Sequence, residues 1–189
     1  MKNLGAFIFT TLNGFFEGSE KGDISWHRHG QEENEFAASS MQPGTILVFG
    51  RVTYEMMVRF WPTPMAMQNA PDVARGMNSA KKIVFSHSME KADWENTTLI
   101  KEDVVSAVKK LKKTSEHHMT ILGSGSIVRQ LSEAGLIDEY HIMIDPVALG
   151  KGMSVFQGLS VPLNLDLINV RSFKSGTVLL DYKPVRRAD

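Results

Sequence analysis

Ile46-Leu47-Val48-Phe49-Gly50-Arg51-Val52-Thr53-Tyr54-Glu55 is the stretch that decides the fold. A strand over Thr45 to Phe49 stops at a glycine, and helical spacing takes over from Thr53 to Phe60. Such a junction leaves backbone N–H groups without partners at the start of the helix. Together with the positive helix end they favour an anion, typically phosphate. Arg51 adds a planar donor fork, and Thr53 a hydroxyl that can cap the helix. Further along, Thr120-Ile121-Leu122 runs into Gly123-Ser124-Gly125-Ser126, and Ile127, Val128 and Leu131 follow at helical spacing. Two strand–glycine–helix junctions suggest a ligand with two phosphate regions, as a dinucleotide has. Val128 stands where a third glycine would complete the G-x-G-x-x-G fingerprint, so each junction taken alone also reads as an ordinary loop glycine.

Working outward, the remaining segments alternate between strand and helix. Leu4 to Thr11 reads as a buried first strand, Glu32 to Ser40 as a helix, and Trp61-Pro62-Thr63-Pro64 as a stop. Asp72 to Ala80 is the next helix, with Pro71 near its first turn. Lys82 to Ser86 is a strand, and Asp103 to Lys113 an amphipathic helix with its lysines on the solvated face. Met119 to Leu122 is a strand, Ser126 to Ala134 a helix ended by Gly135, and Glu139 to Asp145 a strand. Alternation through Leu163, Leu165 and Leu167, and again in Thr177 to Tyr182 around a Ser175-Gly176 turn, predicts an antiparallel hairpin. The expectation is an α/β protein: one three-layer α/β/α domain over residues 1–189, with a mostly parallel central sheet closed by a C-terminal hairpin.

Composition narrows the function classes. The 189 residues carry 21 basic and 21 acidic side chains, so bulk charge does not drive nucleic-acid binding. There is no cysteine, which removes disulfides, thiol catalysis and cysteine metal sites and fits a reducing cytoplasm. No stretch approaches the roughly 20 apolar residues of a membrane span, and the N-terminus reads as a strand rather than a signal peptide. His27-Arg28-His29 and His117-His118 lack the spacing of paired metal ligands, so the expectation is solvated loop histidines and no metal. His141, mid-strand, reads as structural. No serine-hydrolase elbow or Walker motif is present. Ser86-His87-Ser88 follows a strand, where open α/β sheets bind ligands, and could share a 2′-phosphate with Arg51.

These blocks resemble the dihydrofolate reductase-like superfamily, above all the branch with the C-terminal reductase domain of the bifunctional riboflavin-biosynthesis deaminase–reductase. The resemblance spans nearly the whole chain. It is carried by Thr11-Leu12-Asn13-Gly14-Phe15, Gly50 to Glu55, Lys82 to Ser86 and Gly123 to Ser126. Its most distinctive part is Gly135-Leu136-Ile137-Asp138-Glu139-Tyr140 followed by Pro146 to Gly152 and Phe156. It implies an NADPH-dependent reductase of a pyrimidine- or pteridine-like heterocycle. By that resemblance Arg51 and Ser86 face the adenosine 2′-phosphate. Gly50, Val52 and Thr53 hold one part of the pyrophosphate, and Gly123, Ser124, Gly125, Ser126 and Ile127 the other. Asn13 and Gly14 lie beside the nicotinamide, with Asn13 standing where the family usually has aspartate. Glu33 is the candidate acid, with Gln31 and Glu32 as neighbouring alternatives, and the acidic pair also simply favours a helix start. Trp26 is the candidate substrate contact. A ribityl-phosphate substrate would need a basic pocket, for which Arg28, Arg59 and Arg75 are available. Apolar C-terminal strands suggest a homodimer. The alternative is a non-catalytic module of the same fold that binds a nucleotide or folate-like ligand, or a dimer scaffold.

Overall fold

The computed structural model describes residues 2–28, 30–40 and 43–185. Eight strands form one sheet in the order β5-β4-β3-β6-β1-β7-β10-β9. They are β1 (Leu4–Thr11), β3 (Ile46–Gly50), β4 (Lys82–Phe85), β5 (Thr97–Ile100), β6 (Met119–Leu122), β7 (Glu139–Asp145), β9 (Leu165–Ser172) and β10 (Val178–Pro184). The six from β5 to β7 run parallel, and β10 joins β7 antiparallel. The hairpin of β9 and β10 turns at Gly176 with φ +88, a conformation glycine adopts without penalty. A second, two-stranded ribbon pairs β2 (Phe15–Glu17) with β8 (Met153–Ser154).

The parallel centre explains why β1 is apolar nearly end to end: it is covered on both faces. Leu4, Ala6 and Ile8 pack on one face with α5 (Val104–Thr114) and α6 (Gly125–Glu133). The other face meets α1 (Gln31–Ser40), α2 (Arg51–Phe60) and α4 (Pro71–Ser79), through residues such as Ala37, Tyr54, Val73 and Met77. The proline-rich stop after α2 holds, but Pro64 also opens a short helix, α3 (Pro64–Asn69), capped by Thr63. Gly135 ends α6 at φ +62 as expected.

One lysine departs from the solvated helix face expected of it, and a strand lysine is buried as well. Lys112 is buried: its Nζ donates to Asp138 Oδ2 at 2.6 Å and to the Leu136 carbonyl at 2.7 Å. The same Asp138 oxygen accepts the Leu4 N–H at 2.8 Å, so one carboxylate ties α5 and the approach to β7 onto the start of β1. Lys82 is buried beneath the ring of Trp94 and donates to the carbonyls of Asn78, Ala80 and Glu95. Burial pushes its amine down to about 8, against a smaller opposing pull from Glu95.

Candidate active site

The site is built where the parallel strands end. β3 and β6 are sheet neighbours, so their terminal glycines lie side by side. Gly50 caps α2 with extended backbone and no side-chain bond. Gly123 and Ser124 both take left-handed backbone, φ +57 and +56, before α6 begins at Gly125. The two junctions are bonded to each other. Gly50 N–H donates to Ser124 Oγ at 2.6 Å, and both the hydroxyl and the N–H of Ser124 donate to Thr53 Oγ1, at 2.9 and 3.1 Å. Thr53 therefore does not cap α2; its hydroxyl reaches across to α6. A Cβ at Gly50 would lie 3.3 Å from Ser124 Oγ and 3.2 Å from Ile127, so a side chain there would crowd this bridge.

The other residues expected at these junctions fall into two groups. Ile127 is buried in the core with its N–H on the Ser124 carbonyl at 2.9 Å, whereas Ser126 is exposed. At Gly125 the close approach is made by the ring of Phe16, with which a Cβ would collide, rather than by open space for a ligand. Gly50 pairs with Phe85 in the sheet, so Arg51 and Ser86 leave neighbouring strand ends together. Arg51 makes two 3.0 Å contacts to Glu55 and remains partly exposed. Ser86 Oγ accepts the Met89 N–H at 3.1 Å.

At the end of β1, Asn13 does structural work. Its Oδ1 accepts from Thr11 Oγ1 and the Leu149 N–H, and its Nδ2 donates to the Leu149 carbonyl at 2.8 Å. An aspartate could not make that last bond. Gly14, at φ +83, completes the turn.

His27 overturns the expectation of a solvated histidine. The imidazole stacks on Phe9 at 3.7 Å, and Nδ1 meets Asp145 Oδ2 at 2.8 Å. Asp145 is fully buried at the end of β7, and its other oxygen accepts the Arg28 N–H. This pairing links residues 118 apart in sequence, which no local pattern reveals. His29 lies outside the described residues. Among the described residues no three His, Asp or Glu side chains are grouped to hold a metal.

Between the sheet and helices α1, α2 and α4 runs a cleft of about 1470 Å³. Its floor includes Phe7, Phe9, Leu122 and Met143. Phe36, Met56 and Met77 line its helical side, Val52 joins them from the first turn of α2, and Gly123 and Ser124 stand at the strand-end rim. His141 also lines it, with Nδ1 bonded to Asp181 at 2.7 Å. Asn13 and Gly14 do not line the cleft, and nor does Trp26, which is half-buried with Nε1 on the Asp23 carbonyl.

The three neighbouring candidates, Gln31, Glu32 and Glu33, take different positions relative to the cleft. Gln31 turns to Glu35. Glu32 turns to Lys174, whose backbone N–H holds the Glu32 carboxyl below its usual range. Glu33 lines the cleft, buried, with Ser175 donating to its Oε1. Glu17, from β2, is a second buried carboxyl there, accepting the Gly22 N–H; sequence reading missed it because only the β2–β8 ribbon folds it inward.

This geometry fits a dinucleotide: two helix starts locked in register at adjacent strand ends, with Arg51 and Ser86 beside one of them. The chain belongs to the RibD C-terminal domain family, whose model matches residues 3–179. Its fold is that of the dihydrofolate reductase-like superfamily. Two Bacillus subtilis (strain 168) proteins are similar, YyaP and YwjB, each named only as uncharacterized. YyaP is 30% identical over 175 residues, covering 93% of this chain and 91% of that one. YwjB is 25% identical over 170 residues, covering 88% and 90%. Among solved structures, a putative riboflavin biosynthesis protein from Shewanella sp. PV-4 superposes with TM-score 0.74 at 22% identity, covering 97% of this chain and 99% of that one. A pyrimidine reductase-like protein from Corynebacterium diphtheriae gives TM-score 0.66 at 15% identity, covering 98% and 93%. Acinetobacter baumannii RibD gives 0.72 at 13%, with this chain covered to 98% and spanning 59% of that longer one. Among the described residues no helix is long and apolar enough to cross a membrane.

Proposed function

We propose that this protein is an NADPH-dependent reductase of a small heterocycle, formed as one domain and working in the cytoplasm. The observation that supports it most is the hydrogen-bonded bridge of Gly50, Thr53 and Ser124, which holds two helix N-termini side by side at the strand ends. The starts of α2 and α6 would take the pyrophosphate, with Arg51 and Ser86 on the 2′-phosphate. The bound cofactor would supply hydride. Glu33, buried in the cleft, would hold or relay a proton for the reduced bond. Asn13 would act by fixing the turn after β1 against Leu149 rather than through a carboxylate.

The test is a titration of NADPH and NADH followed by nicotinamide fluorescence. NADPH should bind more tightly than NADH, and Arg51→Ala should erase that preference. Equal binding of the two cofactors by the wild-type protein would sink the 2′-phosphate assignment. A homodimer is part of the proposal: edge strand β9 exposes Leu167, Ile168 and Val170, all more than half accessible. Light scattering that reads a monomer at working concentration would remove it.

A further inference from the structure

We infer that the cleft accepts an uncharged or cationic heteroaromatic molecule and excludes one that carries a phosphate. This rests on the reading of the cleft as the substrate site of a reductase, and it names the substrate class.

The candidate cations for a phosphate all lie elsewhere. Arg28 is exposed, with Nη1 on the Ser175 carbonyl at 3.3 Å. Arg59 is exposed near the end of α2, and Arg75 is exposed and paired with Asp72. None of the three lines the cleft. Among the described residues, the lysine or arginine that does so is Lys81, just before β4, at the edge where the strands begin. The reactive end, marked by Gly123 and Ser124, is the opposite edge. There the Gly123 N–H donates to the Phe7 carbonyl at 2.9 Å and the Ser124 N–H to Thr53 Oγ1 at 3.1 Å, so neither is open to a substrate phosphate.

What the cleft does offer is acidic and aromatic. Glu17 and Glu33 are 7% and 6% exposed and both line it. Within the protein, the Glu17 carboxyl accepts from Gly22 N–H and the Glu33 carboxyl from the Ser175 hydroxyl, which leaves acceptor capacity facing a ligand. Phe9, stacked on one side by His27, and Phe36, with the Arg171 guanidinium 5.1 Å from its centroid, add aromatic surface. A planar heterocycle with N–H or amino donors would gain stacking and acceptors here. A phosphate monoester would lose its hydration beside two acids where, among the described residues, no lysine or arginine lines the reactive end, a burial that is unfavourable without a paired partner.

Riboflavin and its 5′-phosphate make a matched pair of probes, since they share one ring system and differ by the phosphate. Their fluorescence quenching is titrated on the wild-type protein and on Glu33→Gln. Riboflavin should saturate and bind at least about tenfold more tightly than the phosphate ester, a gap of roughly 1.4 kcal/mol. Glu33→Gln should narrow that gap. Equal or tighter binding of the phosphate ester overturns the inference, as does failure of riboflavin to saturate up to its solubility limit. The wild-type comparison stands alone should Glu33→Gln not fold. Measuring NADPH on the same sample separates the two readings. Cofactor binding without the riboflavin preference sinks only this inference, and the preference without cofactor binding sinks only the reductase.

Discussion

Thr53→Val tests whether the two glycine junctions form one unit. Valine matches threonine in shape but has no hydroxyl. The substitution removes the acceptor for the Ser124 N–H, at 3.1 Å, and for the Ser124 hydroxyl, at 2.9 Å. Both groups are buried, and Ser124 is held in left-handed backbone, which a side chain disfavours. An unsatisfied buried donor costs about 1–3 kcal/mol. The hydroxyl can rotate to a new partner, whereas the N–H cannot, so the loss should be about 2 kcal/mol. For a chain of this size that is a fall in Tm of roughly 4–8 °C. Urea unfolding of wild type, Thr53→Val and Thr53→Ser measures it. Thr53→Ser keeps the acceptor and should recover most of the loss. A Thr53→Val protein within about 0.5 kcal/mol of wild type, the range of an ordinary surface change, would refute the bridge. A loss from Thr53→Ser as large as that from Thr53→Val would also count against it, since serine keeps the acceptor.

Three further outcomes follow from the packing. Asp138→Asn should cost about 3 kcal/mol in urea unfolding, because it weakens the buried pair with Lys112 and the bond to Leu4 N–H; an unchanged midpoint would contradict that. Lys82 is charged less readily when folded than when unfolded, so the unfolded chain binds more protons between pH about 8 and 10.5. Its contribution to stability should therefore rise with pH across that window, relative to Lys82→Met measured in the same buffers, and a flat difference would count against it. Gly125→Ala should displace the Phe16 ring and destabilise the protein, and adding Phe16→Ala should relieve part of that loss. Additive losses in the double variant would place the strain elsewhere.

The legible parts of this fold are those whose cause is local. Gly50 and Gly123 end apolar runs and precede helical spacing, so both junctions are legible in the order of residues alone. Strand β5 is not, because Thr97-Thr98-Leu99-Ile100 sits half-buried at the sheet edge and lacks a decisive pattern. Pairings between distant residues are also invisible in the sequence. Lys112 belongs to a lysine-rich helix face, and only Asp138, 26 positions on, makes it a buried cation. His27 looks like a loop histidine until β7 brings Asp145 beneath it. Glu33 can be proposed from the sequence but not ranked against Glu32, because the choice depends on which carboxyl Lys174 engages.

Methionines supply part of the cleft wall, and the chain has no cysteine to intercept oxidants before them. Met57 is already engaged through sulfur, which accepts the Trp61 Nε1–H at 3.0 Å. Conversion of these thioethers to sulfoxides would put polar, chiral groups into an otherwise greasy wall. Oxidation that reaches these cleft methionines, after the exposed Met65, Met67 and Met153, would weaken ligand capture, and methionine sulfoxide reductase would be the activity that restores it.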